Sequence, residues 1–208
     1  GSEMCIRDSP GLPLILVPST AGTGAEVTRS AVITWTQTGQ KAGIRSANCC
    51  LANLAIVDPQ ATLSMPLKLT LESGIDALTH ACEAMTIKDS MSSPVADALC
   101  KDAIRKIVKN LPVVVKDGSN IKAREEMAIA ATIGGLAFSN TLCHLGHAFG
   151  QGLGAHCHTT HGYMVGGALP CIMDYISDVY PEKVREIGEC FGVTFAGDET
   201  PAQIGKMV

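Results

Sequence analysis

The feature that most constrains the fold of this 208-residue chain is a change of pattern at Asp58-Pro59. Before this point, short apolar or β-branched segments are separated by loops of small residues, a pattern that is typical of strands. After it, nearly every segment has the apolar spacing of a helix. The sequence therefore predicts an α/β segment followed by an all-α domain.

The individual elements follow from the same patterns. The predicted strands are 14–17, 27–34, 41–46 and 54–58, with a turn at Thr38-Gly39. The predicted helices are 67–87, 93–110, 121–138, 141–152, 163–176, 181–190 and 201–208. Residues 1–9 fit neither pattern and are interpreted as a tag or an artefact. The predicted units are thus 10–62 for the α/β part and 63–208 for the helical domain, and we expect the chain to be truncated at both ends.

Composition excludes several classes of protein. Hydrophobic residues make up 46% of the chain and charged residues 17%, which is too apolar for disorder and too sparsely charged for a coiled coil. The net charge of −4 and the aromatic content of 4% leave neither a basic field nor stacking platforms, so we expect no nucleic-acid partner. The apolar runs fall short of the roughly 20 residues that a spanning helix needs, and no signal peptide is recognisable, so we expect no membrane partner.

The nine cysteines are scattered, and none forms a C-x-x-C pair. This usage is typical of free thiols in a reducing compartment. We therefore expect a cytoplasmic protein.

The strongest candidate for a chemical site is the pair Asp76 and His80. Their i,i+4 spacing places both side chains on one face of a predicted helix, among apolar neighbours. A carboxylate and an imidazole turned inward are costly unless they pair with each other or bind a metal. Both interpretations, a buried Asp–His hydrogen bond and a metal site, stay open at this point.

The histidines are strongly clustered. All six lie within residues 80–161, and five of them within 18 residues. A histidine-rich surface loop is one explanation, but the apolar neighbours of His147 argue against it. Imidazoles with one carboxylate and no thiolate suit Fe(II), Zn(II) or a similar ion. The other candidates in this stretch are His144, Gln151, His156, His158 and His161.

Three motifs together resemble the iron-containing (group III) alcohol dehydrogenase family. They are Thr20-Ala21-Gly22-Thr23-Gly24-Ala25-Glu26, Gly74-Ile75-Asp76-Ala77-Leu78-Thr79-His80, and the pair His147 and His161-Gly162. The resemblance implies the remnant of a dinucleotide-binding domain followed by an all-α metal-binding domain, the dehydroquinate-synthase-like architecture. It also implies that Fe²⁺ or Zn²⁺ is held by one aspartate and three histidines, here Asp76, His80, His147 and His161.

The resemblance further implies a nicotinamide cofactor, NAD or NADP, contacted by Thr20, Thr23 and Lys41. Gln151 stands where many family members carry a further histidine, and His158 where some carry a histidine near the substrate. Catalytic roles are therefore expected at these two positions, although a glutamine cannot exchange protons at neutral pH. We expect His144 and His156 not to be metal ligands.

The function implied is a metal-dependent, NAD(P)-linked alcohol dehydrogenase or aldehyde reductase that acts on a small alcohol or aldehyde. A homo-oligomer is compatible with it. Two alternatives stay open: a metal- and NAD-using lyase similar to dehydroquinate synthase, and an inactive metal-binding fragment. The second arises because the family's Gly-Gly-Gly-Ser phosphate-binding turn does not occur in this sequence.

Two further patterns are not assigned to chemistry. The segment Gly150-Gln151-Gly152-Leu153-Gly154-Ala155 matches G-x-G-x-x-G/A, but it follows a helical pattern rather than a strand. We interpret its glycines as sites of close helix approach. Cys143 and Cys157 flank the histidine cluster, yet four nitrogen and oxygen ligands already fill a tetrahedral site, so thiolate ligands are not expected.

Overall fold

A computed structural model describes residues 12–37, 40–157 and 159–208. It has a small α/β segment followed by a helical domain, as the sequence predicts. The strands are β1 (Ile15–Leu16), β2 (Ser30–Trp35), β3 (Gln40–Arg45) and β4 (Leu54–Ala55). The helices are α1 (Ala47–Cys50), α2 (Leu67–Met85), α3 (Pro94–Lys116), α4 (Ile121–Asn140), α5 (Leu145–Cys157), α6 (His161–Ser177), α7 (Pro181–Phe191) and α8 (Pro201–Met207). The predicted tag and the turn at Thr38-Gly39 lie outside the described residues.

The strands form two small sheets. Strands β1 and β4 pair in parallel, with Ile15 opposite Leu54, whereas β2 and β3 pair antiparallel, with Ser30 opposite Arg45. Strand β2 begins three residues later than predicted, because Ala25–Val27 forms a 3₁₀ turn. Gly24 initiates that turn with φ 57°, a left-handed conformation that favours glycine.

Several helix boundaries differ from the prediction, and the end of α3 and the start of α5 do so for identifiable physical reasons. Helix α3 continues past Pro112 to Lys116. Pro112 is exposed, while Leu111 and Val114 continue the buried apolar stripe, so burial outweighs the lost hydrogen bond. Helix α5 begins at Leu145 rather than 141, because a buried carboxylate from α2 accepts hydrogen bonds from the backbone at this point.

Helix α2 lies at the centre of the helical domain. Its residues Ala81, Cys82 and Met85 are fully buried. They share one apolar core with side chains from α3, α6, α7 and α8, including Cys100, Ile104, Ile172, Met173, Ile187 and Ile204. Because α2 is covered on several sides, the polar residues that it carries are taken into the interior.

Helix α6 crosses α2 at very short range. A Cβ placed on Gly162 would lie 2.2 Å from the backbone oxygen of Glu72, so only glycine fits at this crossing. His161 precedes Gly162 and is therefore held against the same part of α2.

Across the described part of the chain, no single helix is both long and apolar enough to cross a bilayer. Residues Ile121–Asn140 and Leu145–Gly154 meet that criterion only together, as a pair bent by 102°.

Candidate metal centre

One face of α2 carries three ionisable side chains into the interior. Asp76, His80 and Glu83 are 4%, 6% and 0% exposed. Their spacing of four and then three residues aligns them along the helix axis. Ionisable groups at this depth require partners of opposite charge, hydrogen bonds or a metal.

His147, in the first turn of α5, lies between the two carboxylates. Its Nδ1 is 2.5 Å from Glu83 Oε2, and its Nε2 is 3.5 Å from Asp76 Oδ1. Because an ionised carboxylate can only accept, Nδ1 carries the hydrogen and donates it to Glu83. That hydrogen bond orients the ring so that Nε2 faces Asp76.

His161, the first residue of α6, approaches Asp76 from another side. Its Nε2 lies 3.6 Å from the same oxygen, Asp76 Oδ1. Its side chain is 39% exposed, compared with 11% for His147. The cluster is therefore open to solvent on the side of His161.

His80 lies beside Asp76 and His147. Its Nδ1 is 3.9 Å from Asp76 Oδ2, and its ring stacks on both Phe138 and His147 with centroid distances of 4.3 Å. The structure thus brings together all four residues for which the resemblance implies a role as metal ligands.

The cluster has unsatisfied polar atoms. Within the described part of the chain, Asp76 Oδ1, His80 Nδ1 and His147 Nε2 are buried and have no hydrogen-bond partner. Buried polar atoms are normally paired, and three together call for an explanation. One carboxylate oxygen and imidazole nitrogens are donors that suit a divalent transition-metal ion, so the residues present fit such an ion.

Burial lowers the pKa of His80 and of His147, whereas the neighbouring carboxylates raise it. Burial lowers the pKa of His80 to about 4. Burial acts in the same sense on His147, but Asp76, Cys143 and Glu83 together raise the pKa of that imidazole to about 12. Without a metal, His147 is therefore the imidazole that holds a proton.

The carboxylates respond to the imidazoles. Burial by itself raises the pKa of Asp76, but the nearby His80 and His147 bring it below its usual value. Burial likewise opposes ionisation of Glu83, whose pKa is lowered by the hydrogen bond from His147 and by the Gly146 N–H. Both carboxylates are therefore ionised and available to neutralise positive charge.

Glu83 is the functional residue that the sequence interpretation missed. It accepts hydrogen bonds from the backbone N–H groups of His144 and Gly146 as well as from His147. It therefore caps the N-terminus of α5 and orients an imidazole at the same time. Its position seven residues after Asp76, on the same helix face, was the available signal.

The remaining histidines are less informative. His144 Nε2 lies 2.9 Å from the hydroxyl of Thr86, the residue after α2, and its Nδ1 lies 3.5 Å from Glu83 Oε1. His156 belongs to α5, but its side chain is outside the described part of the structure, and so is His158. The expected catalytic role of His158 therefore stays a prediction.

Gln151 is exposed on α5, one turn after His147. In the neighbouring glycine pattern, Gly150 packs closely on α6, since an added Cβ would lie 2.3 Å from Val165 Cγ1. A Cβ on Gly152 would meet no described atom within 4 Å, so the expectation of close helix approach was wrong for that glycine.

The loop with the expected cofactor residues packs on the helical domain. A Cβ on Gly22 would lie 2.8 Å from the backbone oxygen of Ser73 in α2. Thr20 is half-buried, whereas Thr23 is exposed and its Oγ1 accepts a hydrogen bond from the Ala25 N–H. Lys41 lies in β3, but its side chain is outside the described part of the structure.

A buried contact anchors the same loop to α4. Glu26 is 4% exposed, and the Thr132 hydroxyl donates to its carboxylate over 2.6 Å. The loop is therefore fixed with respect to the helices that carry the cluster.

The fold and the cluster define a class: a helical domain with buried carboxylate and imidazole donors, joined to part of an α/β domain. Family comparisons agree with this description. Residues 70–206 match the model of the C-terminal domain of the Fe-containing alcohol dehydrogenase family, and residues 3–59 match that of iron-containing alcohol dehydrogenase. The chain belongs to the iron-containing alcohol dehydrogenase family.

Individual relatives support the same assignment. The chain is 40% identical over 192 residues to 1,3-propanediol dehydrogenase from Klebsiella pneumoniae, covering 92% of this chain and 49% of that protein. A crystal structure of 1,3-propanediol oxidoreductase matches with TM-score 0.89 and 38% identity, covering 96% of this chain and 51% of the other.

Sulfoacetaldehyde reductase from Bifidobacterium kashiwanohense, solved in complex with NAD⁺, matches with TM-score 0.83 and 33% identity over 94% of this chain and 50% of that one. The chain spans about half the length of the relatives that it matches.

Proposed function

We propose that this chain is the metal-binding part of an NAD(P)-linked alcohol dehydrogenase or aldehyde reductase that acts on a small alcohol or aldehyde. The observation that carries the proposal is the set of unpartnered buried atoms Asp76 Oδ1, His80 Nδ1 and His147 Nε2. Family membership supplies the class of reaction, and relatives such as 1,3-propanediol dehydrogenase favour an alcohol or aldehyde as the substrate.

Asp76, His80, His147 and His161 would hold the ion, with Fe²⁺ preferred to Zn²⁺ on the strength of the family. A divalent ion supplies Lewis acidity toward the alcohol oxygen, and the nicotinamide exchanges the hydride. Asp76 contributes the negative charge, because it stays ionised at neutral pH. The exposed side of His161 is where a substrate would enter.

Glu83 has a supporting part in this mechanism. By accepting the Nδ1 hydrogen of His147, it keeps Nε2 turned toward Asp76 as the nitrogen that would bind the ion after losing its own proton. Its own charge is compensated by the two backbone N–H groups of α5. The cluster is thereby held in one geometry before any ion arrives.

The cofactor would contact the loop of Thr20 and Thr23, and Lys41 would lie near it. Glycines in this loop let a ligand approach the backbone closely. Gln151 and His158 would lie toward the substrate. The cysteines within the described residues are free thiols, which supports a cytoplasmic location.

The first test is metal stoichiometry. The chain is stripped with a chelator, reloaded with Fe²⁺ without oxygen, and analysed for bound metal. We expect one ion per chain, and loss of that ion in Asp76→Asn. Asp97→Asn is the matched control, because Asp97 is also buried but pairs with Lys183 outside the cluster. Equal metal content in the two variants would contradict the proposed ligand set.

The second test is turnover with NAD⁺ or NADP⁺ and a panel of short alcohols and diols, followed by the absorbance of the reduced nicotinamide. Turnover that depends on the loaded ion and is lost in Asp76→Asn supports the dehydrogenase. Metal binding without turnover would support the inactive metal-binding fragment instead.

A further inference from the structure

Cys143 lies in the loop between α4 and α5, next to the cluster but outside the ligand set proposed above. Its Sγ, one ring nitrogen of His80 and one ring nitrogen of His147 all lie within 4.8 Å of one another. A separate trio of Asp76, His147 and His161 satisfies the same criterion. The two trios have only His147 in common.

His80 connects the thiol to a buried, unsatisfied environment. The residue is 6% exposed, and its Nδ1 has no hydrogen-bond partner among the described residues. His147 Nε2 is unpartnered in the same sense. Two of the three members of the Cys143 trio therefore carry a buried nitrogen without a hydrogen-bond partner among the described residues.

The two trios differ in chemical softness. A carboxylate with two imidazoles suits Fe²⁺ or Mn²⁺, whereas a thiolate with two imidazoles favours Zn²⁺ and Co²⁺. A Cys and His donor set with an open position is a known arrangement for zinc. The cluster thus offers two different sets of metal donors at neighbouring positions.

We propose that Cys143, His80 and His147 form a second metal site, which takes thiophilic divalent ions such as Zn²⁺. When an ion binds there, the Cys143 thiol and the His147 imidazolium each lose a proton to solvent, and the sulfur and the freed ring nitrogen form the new bonds to the metal. Since both sites need His80 and His147, they cannot both be filled, and Zn²⁺ at the second site displaces Fe²⁺ from the first. The inference rests on the proposed function only in taking the pocket to be a metal site.

Co²⁺ is the probe that separates the two sites. The reduced 208-residue chain receives one equivalent of Co²⁺ without oxygen, and its absorption spectrum is recorded. We expect visible ligand-field bands together with a sulfur-to-cobalt charge-transfer band in the near ultraviolet. Cys143→Ser, which keeps the shape of the side chain, loses the charge-transfer band and retains the ligand-field bands.

Two further variants complete the experiment. Cys171→Ser is the control for adventitious thiols, because Cys171 is an exposed cysteine on α6, and we expect its spectrum to equal that of the unaltered chain. Asp76→Asn removes a donor of the first site alone and keeps the charge-transfer band. Far-ultraviolet circular dichroism of each variant verifies that the helices are intact.

The outcomes distinguish the two proposals. Ligand-field bands without a charge-transfer band would overturn the Cys143 site and leave the proposed function standing. A charge-transfer band that survives Cys143→Ser, or disappears in Cys171→Ser, would also overturn it. No cobalt binding at all would overturn both. A direct ligand should contribute at least as much to affinity as an outer-shell partner, whose loss costs about 10-fold or more. A weakening of Zn²⁺ affinity by at least ~10-fold in Cys143→Ser would therefore support the site.

Discussion

Glu83 and His147 are separated by 64 residues and lie on different helices, yet Glu83 Oε2 and His147 Nδ1 are 2.5 Å apart in the interior. The carboxylate is fully buried and also accepts from two backbone N–H groups at the start of α5. One side chain therefore determines both where α5 begins and how its histidine is oriented.

Glu83→Gln tests this double role. The amide still accepts one hydrogen bond, but its NH₂ group now faces a backbone donor, so we expect the free energy of unfolding to fall by about 1–3 kcal/mol. Because His147 loses its charged partner, metal affinity falls by about 10–100-fold. Thermal denaturation and calorimetric metal titration measure the two effects. Asp97→Asn, a buried carboxylate elsewhere, controls for the lost charge and leaves metal affinity unchanged.

The stability of the metal-free chain depends on pH in two opposite ways. His80 has a lowered pKa of about 4 in the folded state, so stability falls as the pH drops from the unfolded value of about 6.5 toward 4. His147 has a raised pKa of about 12, so its contribution is complete below about 6.5 and is lost as the pH rises toward 12.

These two histidines together predict a maximum of stability near their unfolded pKa of about 6.5. Melting temperatures of the chelator-treated chain across a pH series measure it. In His147→Gln the decline on the alkaline side should become shallower. A stability that rises steadily through this range would contradict the assignment of the proton to His147.

Gly162→Ala tests the crossing of α6 over α2. The new Cβ would overlap the backbone oxygen of Glu72, so we expect a loss of about 1–3 kcal/mol in the free energy of unfolding and weaker metal binding through displacement of His161. Gly167→Ala in the same helix is the control, because no described atom lies within 4 Å of its Cβ. That change should leave metal affinity intact and stabilise the helix by about 0.5–1 kcal/mol.

Arg45 links the hairpin of β2 and β3 to the C-terminal end of α4. Its Nη2 donates to the backbone oxygens of Ser139 and Thr141 over 3.0 and 3.1 Å. Arg45→Gln loses this contact, so we expect the free energy of unfolding to fall by about 1–3 kcal/mol, as when buried acceptors lose their donor. Denaturant titration measures the loss, and Arg29→Gln, at the residue before β2, provides a comparison. Equal effects of the two changes would mean that general charge, rather than the Arg45 contact, matters.

The sequence predicts the parts of the site that depend on local spacing. Asp76 and His80 are recognisable because one helix face carries both, whereas the motif resemblance was needed to add His147 and His161. Glu83 was missed because its role depends on contacts at the start of α5, 61 to 64 residues away in the chain. For the same reason the start of α5 was placed four residues too early: the carboxylate that caps it belongs to another helix.

Other differences also have a tertiary origin. Pro112 lies inside α3 because the buried apolar residues continue beyond it to Val114. A proline by itself predicts the end of a helix, so the sequence placed the end of α3 too early. The close approach of α6 to α2 depends on Gly162, a glycine that no spacing rule distinguishes from Gly167.

Helix α2 contributes Asp76, His80 and Glu83 while its opposite side lies in the apolar core with α3, α6, α7 and α8. An ion held between α2, α5 and α6 would therefore crosslink helices that form the core of the domain. Folding and metal binding are then linked equilibria, and each tenfold rise in free ion above its dissociation constant adds about 1.4 kcal/mol to the free energy of unfolding. The melting temperature of this domain should accordingly serve as a gauge of the metal concentration around it.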